Sequence, residues 1–268
     1  MKTKIPNASQ TLSVRILSAQ KPESEDHNVR CKLGDHLSWF QNLLCDVPNV
    51  RMTRVLRDGL PRSVDEQVII MPGSAYSPKE ILDKLPDYPE FLRQMQKQGK
   101  LFLLVCSGHQ VFAEALGGHC VKNPMGPELG TTSVTIMTDA EGSILFDNIP
   151  RGFKVSSLHY WTVLRLPNLG PMHVHARSAK DAHQIVQYGD HLSMQFHPEI
   201  NSPLMRSMLI SRKTEYFGNN EDAYEHTMEA VEDTPYARIL VSNWLNFVVT
   251  PRLVRAAQRT KPRARNRA

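Results

Sequence analysis

The run Leu101-Phe-Leu-Leu-Val105 constrains the fold more than any other feature of this chain. Five apolar residues end at Cys106, and the chain passes at once into Ser107-Gly108-His109-Gln110 and a helix-like stretch, Val111–Gly118. A strand with no polar face must be covered on both sides, which asks for helices above and below a sheet. The junction also carries chemistry. A cysteine held where a buried strand turns sharply into a helix has its sulfur pushed into the open at the carboxyl edge of the sheet. The turn crowds the backbone, and Gly108, without a Cβ, is the residue type that fits at the second position after the thiol. The unpaired amides and positive dipole end of the following helix favour thiolate over thiol. A plain alternative stands beside this one: a strand-ending cysteine is also a common core residue.

The rest of the chain alternates short apolar runs with amphipathic stretches, the pattern of a mostly parallel central sheet flanked by helices. Strands are expected at Thr11–Leu17, Val50–Leu56 and Val68–Met71, and helices over Leu33–Leu44 and Pro78–Gln98. After Gly130 the segments Thr132–Met137, Phe153–Val155, His173–Ala176 and Ala182–Gln187 are short and alternating, and they are expected to form a small antiparallel side sheet. A polar helical excursion over 213–235 should precede a packed helix at Ile239–Val248.

About ninety residues after the thiol, Leu192-Ser-Met-Gln-Phe196 reads as a strand that runs into His197-Pro198-Glu199. A thiolate nucleophile needs an imidazole to carry its proton, and the imidazole needs a carboxylate to fix its tautomer. His197 and Glu199 supply both groups, and Pro198 ends the strand and turns the chain between them. A His and a Glu on a solvated loop would read the same way. His173-x-His175 places two imidazoles on one strand face, yet no acidic or cysteine partner stands at ligand spacing, so no metal site is expected.

Taken together, Cys106-Ser-Gly108-His-Gln110 and Gln195-Phe-His197-Pro-Glu199 resemble the class I, triad-type glutamine amidotransferase family, in the manner of a stand-alone GMP-synthase-like glutaminase domain. Ile69-Ile-Met-Pro-Gly73-Ser74-Ala75-Tyr76 resembles that family's glycine loop after the third strand. Ala113–Gly118 and Glu128-Leu-Gly130 match its next segments, so the likeness covers most of residues 12–200. The resemblance implies a flavodoxin-like sheet. It also implies that Cys106 attacks the side-chain carbonyl of glutamine to give a γ-glutamyl thioester, with His197 as acid and base and Glu199 as its orienter. Backbone N–H groups of Ser107 and of the Gly73-Ser74 loop would hold the oxyanion, and Gln110, His159, Tyr160 and Trp161 would border the substrate. The chemistry requires no cofactor and no metal.

Two residues depart from the family pattern. Leu104 stands where the family usually has Gly, which would tighten or distort the turn. In Ser157-Leu-His159-Tyr160-Trp161, Trp161 replaces an Asp, and either shapes the pocket or packs as an ordinary aromatic.

Composition bounds the partners. The chain has 268 residues, 41% hydrophobic and 22% charged, with no apolar run of about 18 residues or more to span a bilayer. Met1–Asn7 carries charge without an apolar core, and four scattered cysteines (31, 45, 106, 120) form no disulfide framework, so a cytoplasmic location is expected. From Pro251 onward the chain holds seven basic residues and no acid, more than the whole chain's net charge of +5, so everything before it is net negative. The expected organisation is an extension at 1–10, one amidotransferase-like domain at 11–250, and a mobile basic tail at 251–268 that would dock on an acidic partner, touch nucleic acid weakly, or serve only to keep the chain in solution. With no room for a synthase domain, the first reading is a glutaminase that passes ammonia to a separate synthetase. The second is a γ-glutamyl peptide hydrolase using the same thioester, and the third, of another class, is a catalytically silent regulatory subunit.

Overall fold

Alternation of side chains decides which strands sit in the middle of the sheet. The computed structural model describes residues 12–20 and 34–260. The strands and helices run in the order β1 (Ser13–Ser18), α1 (His36–Leu43), β2 (Asn49–Arg54), α2 (Val55–Asp58), β3 (Val68–Met71), α3 (Pro78–Lys84), α4 (Tyr88–Lys97), β4 (Leu101–Val105) and α5 (Ser107–Ala115). They continue with β5 (His119–Lys122), β6 (Glu128–Ile136), β7 (Gly152–His159), β8 (Trp161–Arg165), β9 (Met172–Arg177), β10 (Ile185–Tyr188) and β11 (His191–Met194). The helices α6 (Ser202–Ser211), α7 (Lys213–Phe217), α8 (Glu221–Glu229), α9 (Pro235–Trp244) and α10 (Thr250–Thr260) complete the described chain.

One sheet takes nine of the described strands in the order β2-β1-β3-β4-β11-β10-β9-β6-β7, parallel from β2 through β11 and antiparallel beyond. Every residue of β3 and β4 is buried. Val68, Ile70, Leu101, Leu103 and Val105 face one layer with Phe40, Leu240 and Trp244. Ile69, Met71, Phe102 and Leu104 face the other with Ile81, Leu92 and Phe112. This two-sided burial is why the central strands carry no polar face. Leu104, the departure noted above, fills the core layer beneath α5 and is fully buried.

Three expectations change. The segments expected in a separate side sheet lie instead in β6, β7, β9 and β10, which extend the main sheet. The tight Gly189-Asp190 turn, with Gly189 at φ +56°, folds β10 back onto β11 as a hairpin and so recruits them to the open edge. The small two-stranded antiparallel sheet is made by β5 and β8. The helix expected over Pro78–Gln98 is two helices, because Leu85 precedes Pro86 and leaves helical geometry at φ −130°, ψ 69°. Finally, α9 runs through a wide turn at Leu245–Val249 into α10, so the expected boundary at residue 250 falls inside one helical run, with Arg252 paired to Asp190 at 2.6 Å. The expected extension at 1–10 and the last eight residues of the tail lie outside the described residues. No helix among the described residues is long and apolar enough to cross a membrane.

Candidate active site

Parallel pairing of neighbouring strands brings distant residues to one edge. β4 and β11 run side by side with Val105 opposite Met194, so the chain leaves both strands at the same level. The amide of Cys106 donates to the Met194 carbonyl at 2.9 Å, and the amide of His197 donates to the Ser156 carbonyl at 2.8 Å. β3 lies on the other side of β4 and ends two residues before Gly73. A Cβ built on Gly73 would sit 2.6 Å from Cε1 of His197 and 3.6 Å from Cβ of Cys106. The glycine loop, the imidazole and the cysteine therefore meet, and only a bare backbone fits between them.

Cys106 adopts φ 51° and ψ −110°, a left-handed conformation that costs a residue with a side chain about 1–3 kcal/mol. The adjoining Gly108 packs its Cα against the end of β3 and leaves no room for a Cβ. The sulfur lies 3.8 Å from the Leu158 carbonyl and on the wall of two cavities. Nδ1 of His197 bonds Oε1 of Glu199 at 2.7 Å, and both residues are buried.

Burial opposes a charge on the His197 ring, but the Glu199 carboxylate and the Cys106 sulfur beside it outweigh that cost and raise its pKa from 6.5 to about 10. A histidine held charged in the fold stabilises it fully below pH 6.5, and that stabilisation is lost as pH rises toward 10. Glu199→Gln removes the largest charge favouring the imidazolium, so the His197 ring is expected to titrate at least about one unit lower in the variant. Ring-proton NMR titration of both proteins checks this, and an unchanged midpoint would rule out Glu199 as the group that sets the charge. The nearby His36 behaves oppositely: burial holds its pKa down at about 4, and its Nδ1 pairs with the Ser18 hydroxyl at 3.0 Å.

The remaining expected site residues divide. Ser107 opens α5 with its amide at the turn and its hydroxyl buried without a partner among the described residues. The Ser74 hydroxyl donates to the Ala19 carbonyl at 2.7 Å and accepts from the Tyr76 amide at 3.1 Å, which fixes the glycine loop. Gln110 borders the larger cavity, yet its Nε2 donates to the Trp161 carbonyl at 2.7 Å and to Oε1 of Gln195 at 3.1 Å. His159 lies between the Trp161 carbonyl at 3.0 Å and Glu128 at 2.9 Å. Tyr160 and Trp161 line the same cavity, with the Tyr160 hydroxyl on the carbonyls of Glu215 and Tyr216. His173 and His175 stack at 6.0 Å between centroids, and Nε2 of His175 is held by Gln187 at 2.9 Å.

The larger cavity measures about 280 Å³ and runs from Cys106 past Trp161 to Arg212, Glu215 and Tyr216; the smaller, about 60 Å³, lies between Cys106, His197 and Trp39. Sequence reading missed Arg212, Glu215 and Tyr216. Arg212 immediately precedes, and Glu215 and Tyr216 belong to, a polar excursion whose helical pattern gives no sign that it folds back over the thiol.

Residues 40–215 match the sequence profile of the family described as Glutamine amidotransferase class-I. A GMP synthase (glutamine-hydrolyzing) of Aeropyrum pernix is 28% identical over 74% of this chain and 30% of its own length. Gamma-glutamyl peptidase 5 of Arabidopsis thaliana is 29% identical over 50% of this chain and 52% of its own. The chain thus spans between about a third and a half of these two relatives. Among solved structures, a glutamine amidotransferase from Thermotoga maritima superposes with a TM-score of 0.69 at 21% identity, covering 88% of this chain and 98% of that one. At that identity the likeness speaks for the fold.

Proposed function

Because the chain belongs to the class I glutamine amidotransferase family, we propose that it hydrolyses the side-chain amide of glutamine through a thioester on Cys106. One observation carries this reading: a cysteine in a strained left-handed turn shares a sheet edge with a buried His197–Glu199 pair and a glycine loop that has no room for a side chain.

In the proposed sequence the Cys106 sulfur attacks the amide carbon, and the C–N bond breaks as His197 gives its proton to the departing nitrogen. Amides of Ser107 and of the Gly73-Ser74 loop stabilise the oxyanion. Water, deprotonated by the same imidazole, attacks the thioester and frees glutamate and the thiol. Glu199 keeps Nε2 of the ring toward the sulfur by occupying Nδ1. The ammonia would go to a separate synthetase.

A second reading, γ-glutamyl peptide hydrolysis, uses the same steps with a peptide amine as leaving group. It is favoured by the gamma-glutamyl peptidase relatives. Turnover of free glutamine against γ-glutamyl dipeptides by the purified protein separates the two, since strong turnover of dipeptides alone selects the second. Labelling of Cys106 by a glutamine-mimicking electrophile tests both: complete inertness of a folded protein would leave only the silent regulatory subunit.

A further inference from the structure

The γ-glutamyl group carries an α-ammonium and an α-carboxylate beside its reacting carbonyl, so one anion and one cation within reach of the thiol would match its two charges. Among the described residues lining the 280 Å³ cavity, Glu215 is the one carboxylate, and Arg212 and Lys122 are the cations. The volume is close to the lower end of small-molecule sites, about 300 Å³, which suits a group the size of an amino acid.

Arg212 is the better placed cation. It also lines the smaller cavity with Cys106 and His197, whereas Lys122 borders the larger one alone. Its Nη1 donates to the Tyr216 hydroxyl at 3.2 Å, which holds the guanidinium at the cavity wall. A guanidinium matches a carboxylate in two parallel hydrogen bonds, a geometry an ammonium lacks. Glu215 lies three residues on, and the Tyr160 hydroxyl clasps its carbonyl and that of Tyr216, tying this segment down over the thiol. Both charges are felt inside the cavity: burial chiefly raises the pKa of Tyr160 and of Tyr216, Arg212 opposes the rise at Tyr216, and Glu215 adds a smaller upward push at both.

We propose that Arg212, at the junction of α6 and α7, and Glu215, in α7, form a clamp for the α-carboxylate and α-ammonium of the γ-glutamyl group. The proposal rests on the hydrolase reading above and names the specificity residues of that site. Recognition of the amino-acid end then comes from Arg212 and the helix that follows it, in a chain where Trp161 opens β8 without a carboxylate at that position.

The test measures how well each compound protects Cys106 from iodoacetamide, read by mass spectrometry at that cysteine, together with kcat/KM. Three compounds are compared: glutamine, 4-carbamoylbutanoate (no α-amino group) and glutamine α-amide (no α-carboxylate). Glu215→Gln is expected to weaken glutamine protection roughly 10- to 100-fold and to leave 4-carbamoylbutanoate unchanged. Arg212→Gln is expected to weaken glutamine and 4-carbamoylbutanoate by similar factors and to leave the α-amide unchanged. Both positions are partly or fully exposed, and unchanged thermal midpoints verify folding. Equal protection of wild type and both variants by glutamine overturns the clamp while the hydrolase reading stands, and so does a carboxylate signature appearing in Lys122→Met instead of Arg212→Gln. If wild type neither turns over nor is protected by glutamine or a γ-glutamyl dipeptide, the hydrolase reading itself fails and the clamp falls with it.

Discussion

Cys106→Ser is expected to lower kcat for the preferred γ-glutamyl substrate by at least roughly 10⁴-fold while leaving the fold intact. The side chain changes by one atom, so the turn at φ 51° and the packing of α5 remain as they are. What changes is the nucleophile: a serine hydroxyl is far harder to ionise than a thiol and is the weaker nucleophile toward an amide carbon near neutrality. His197→Ala is expected to cost a similar factor, and the double variant little more than either single one, because residues that act as a unit are not additive. Steady-state kinetics on the three variants, with any required partner present, checks this. Cys106→Ala retaining full hydrolysis would end the thioester mechanism.

The legible parts of this molecule are those set by local sequence. The all-apolar runs of β3 and β4 announce strands buried on both faces, and the strand–Cys106–helix junction announces the turn, because burial and backbone crowding each leave a compositional mark. The pairing of the side strands left none. Thr132–Met137 and Ala182–Gln187 alternate as either a separate sheet or an extension would, and only the short Gly189-Asp190 turn, which sets β10 against β11, decides for extension. The break at Leu85-Pro86 was readable from proline chemistry alone, yet the amphipathic pattern on both sides masked it. Within the site, Cys106, His197 and Glu199 sit in motifs, whereas Arg212, Glu215 and Tyr216 reach the same cavity through the packing of α6, whose Leu204, Met205 and Met208 bury beside Trp39 and Ile200. That docking is a tertiary event, and a residue made important by it carries no local signature.

The second large effect concerns the backbone beneath the thiol, where Gly108→Ala is expected to destabilise the protein by about 3 kcal/mol and to remove turnover together with stability. A Cβ at this position would lie 1.9 Å from the Met71 carbonyl oxygen and 2.7 Å from the Met71 Cβ. Neither neighbour can yield cheaply. Met71 is the last residue of β3, paired with Leu104 in the sheet, and moving it drags the Gly73 loop that follows. The alternative, lifting α5 off the sheet, opens the layer formed by Val111 and Phe112 and swings the Ser107 amide away from the sulfur. At about 2–4 °C per kcal/mol for a domain of this size, the thermal midpoint should fall by roughly 6–12 °C. Gly152→Ala is the matched control, since a Cβ there meets nothing within 4 Å, and it is expected to change stability by no more than about 0.5 kcal/mol. Equal midpoints for the two variants would mean that α5 can shift without cost, and the tight packing of the turn against β3 would then not be what holds Cys106 in its strained conformation.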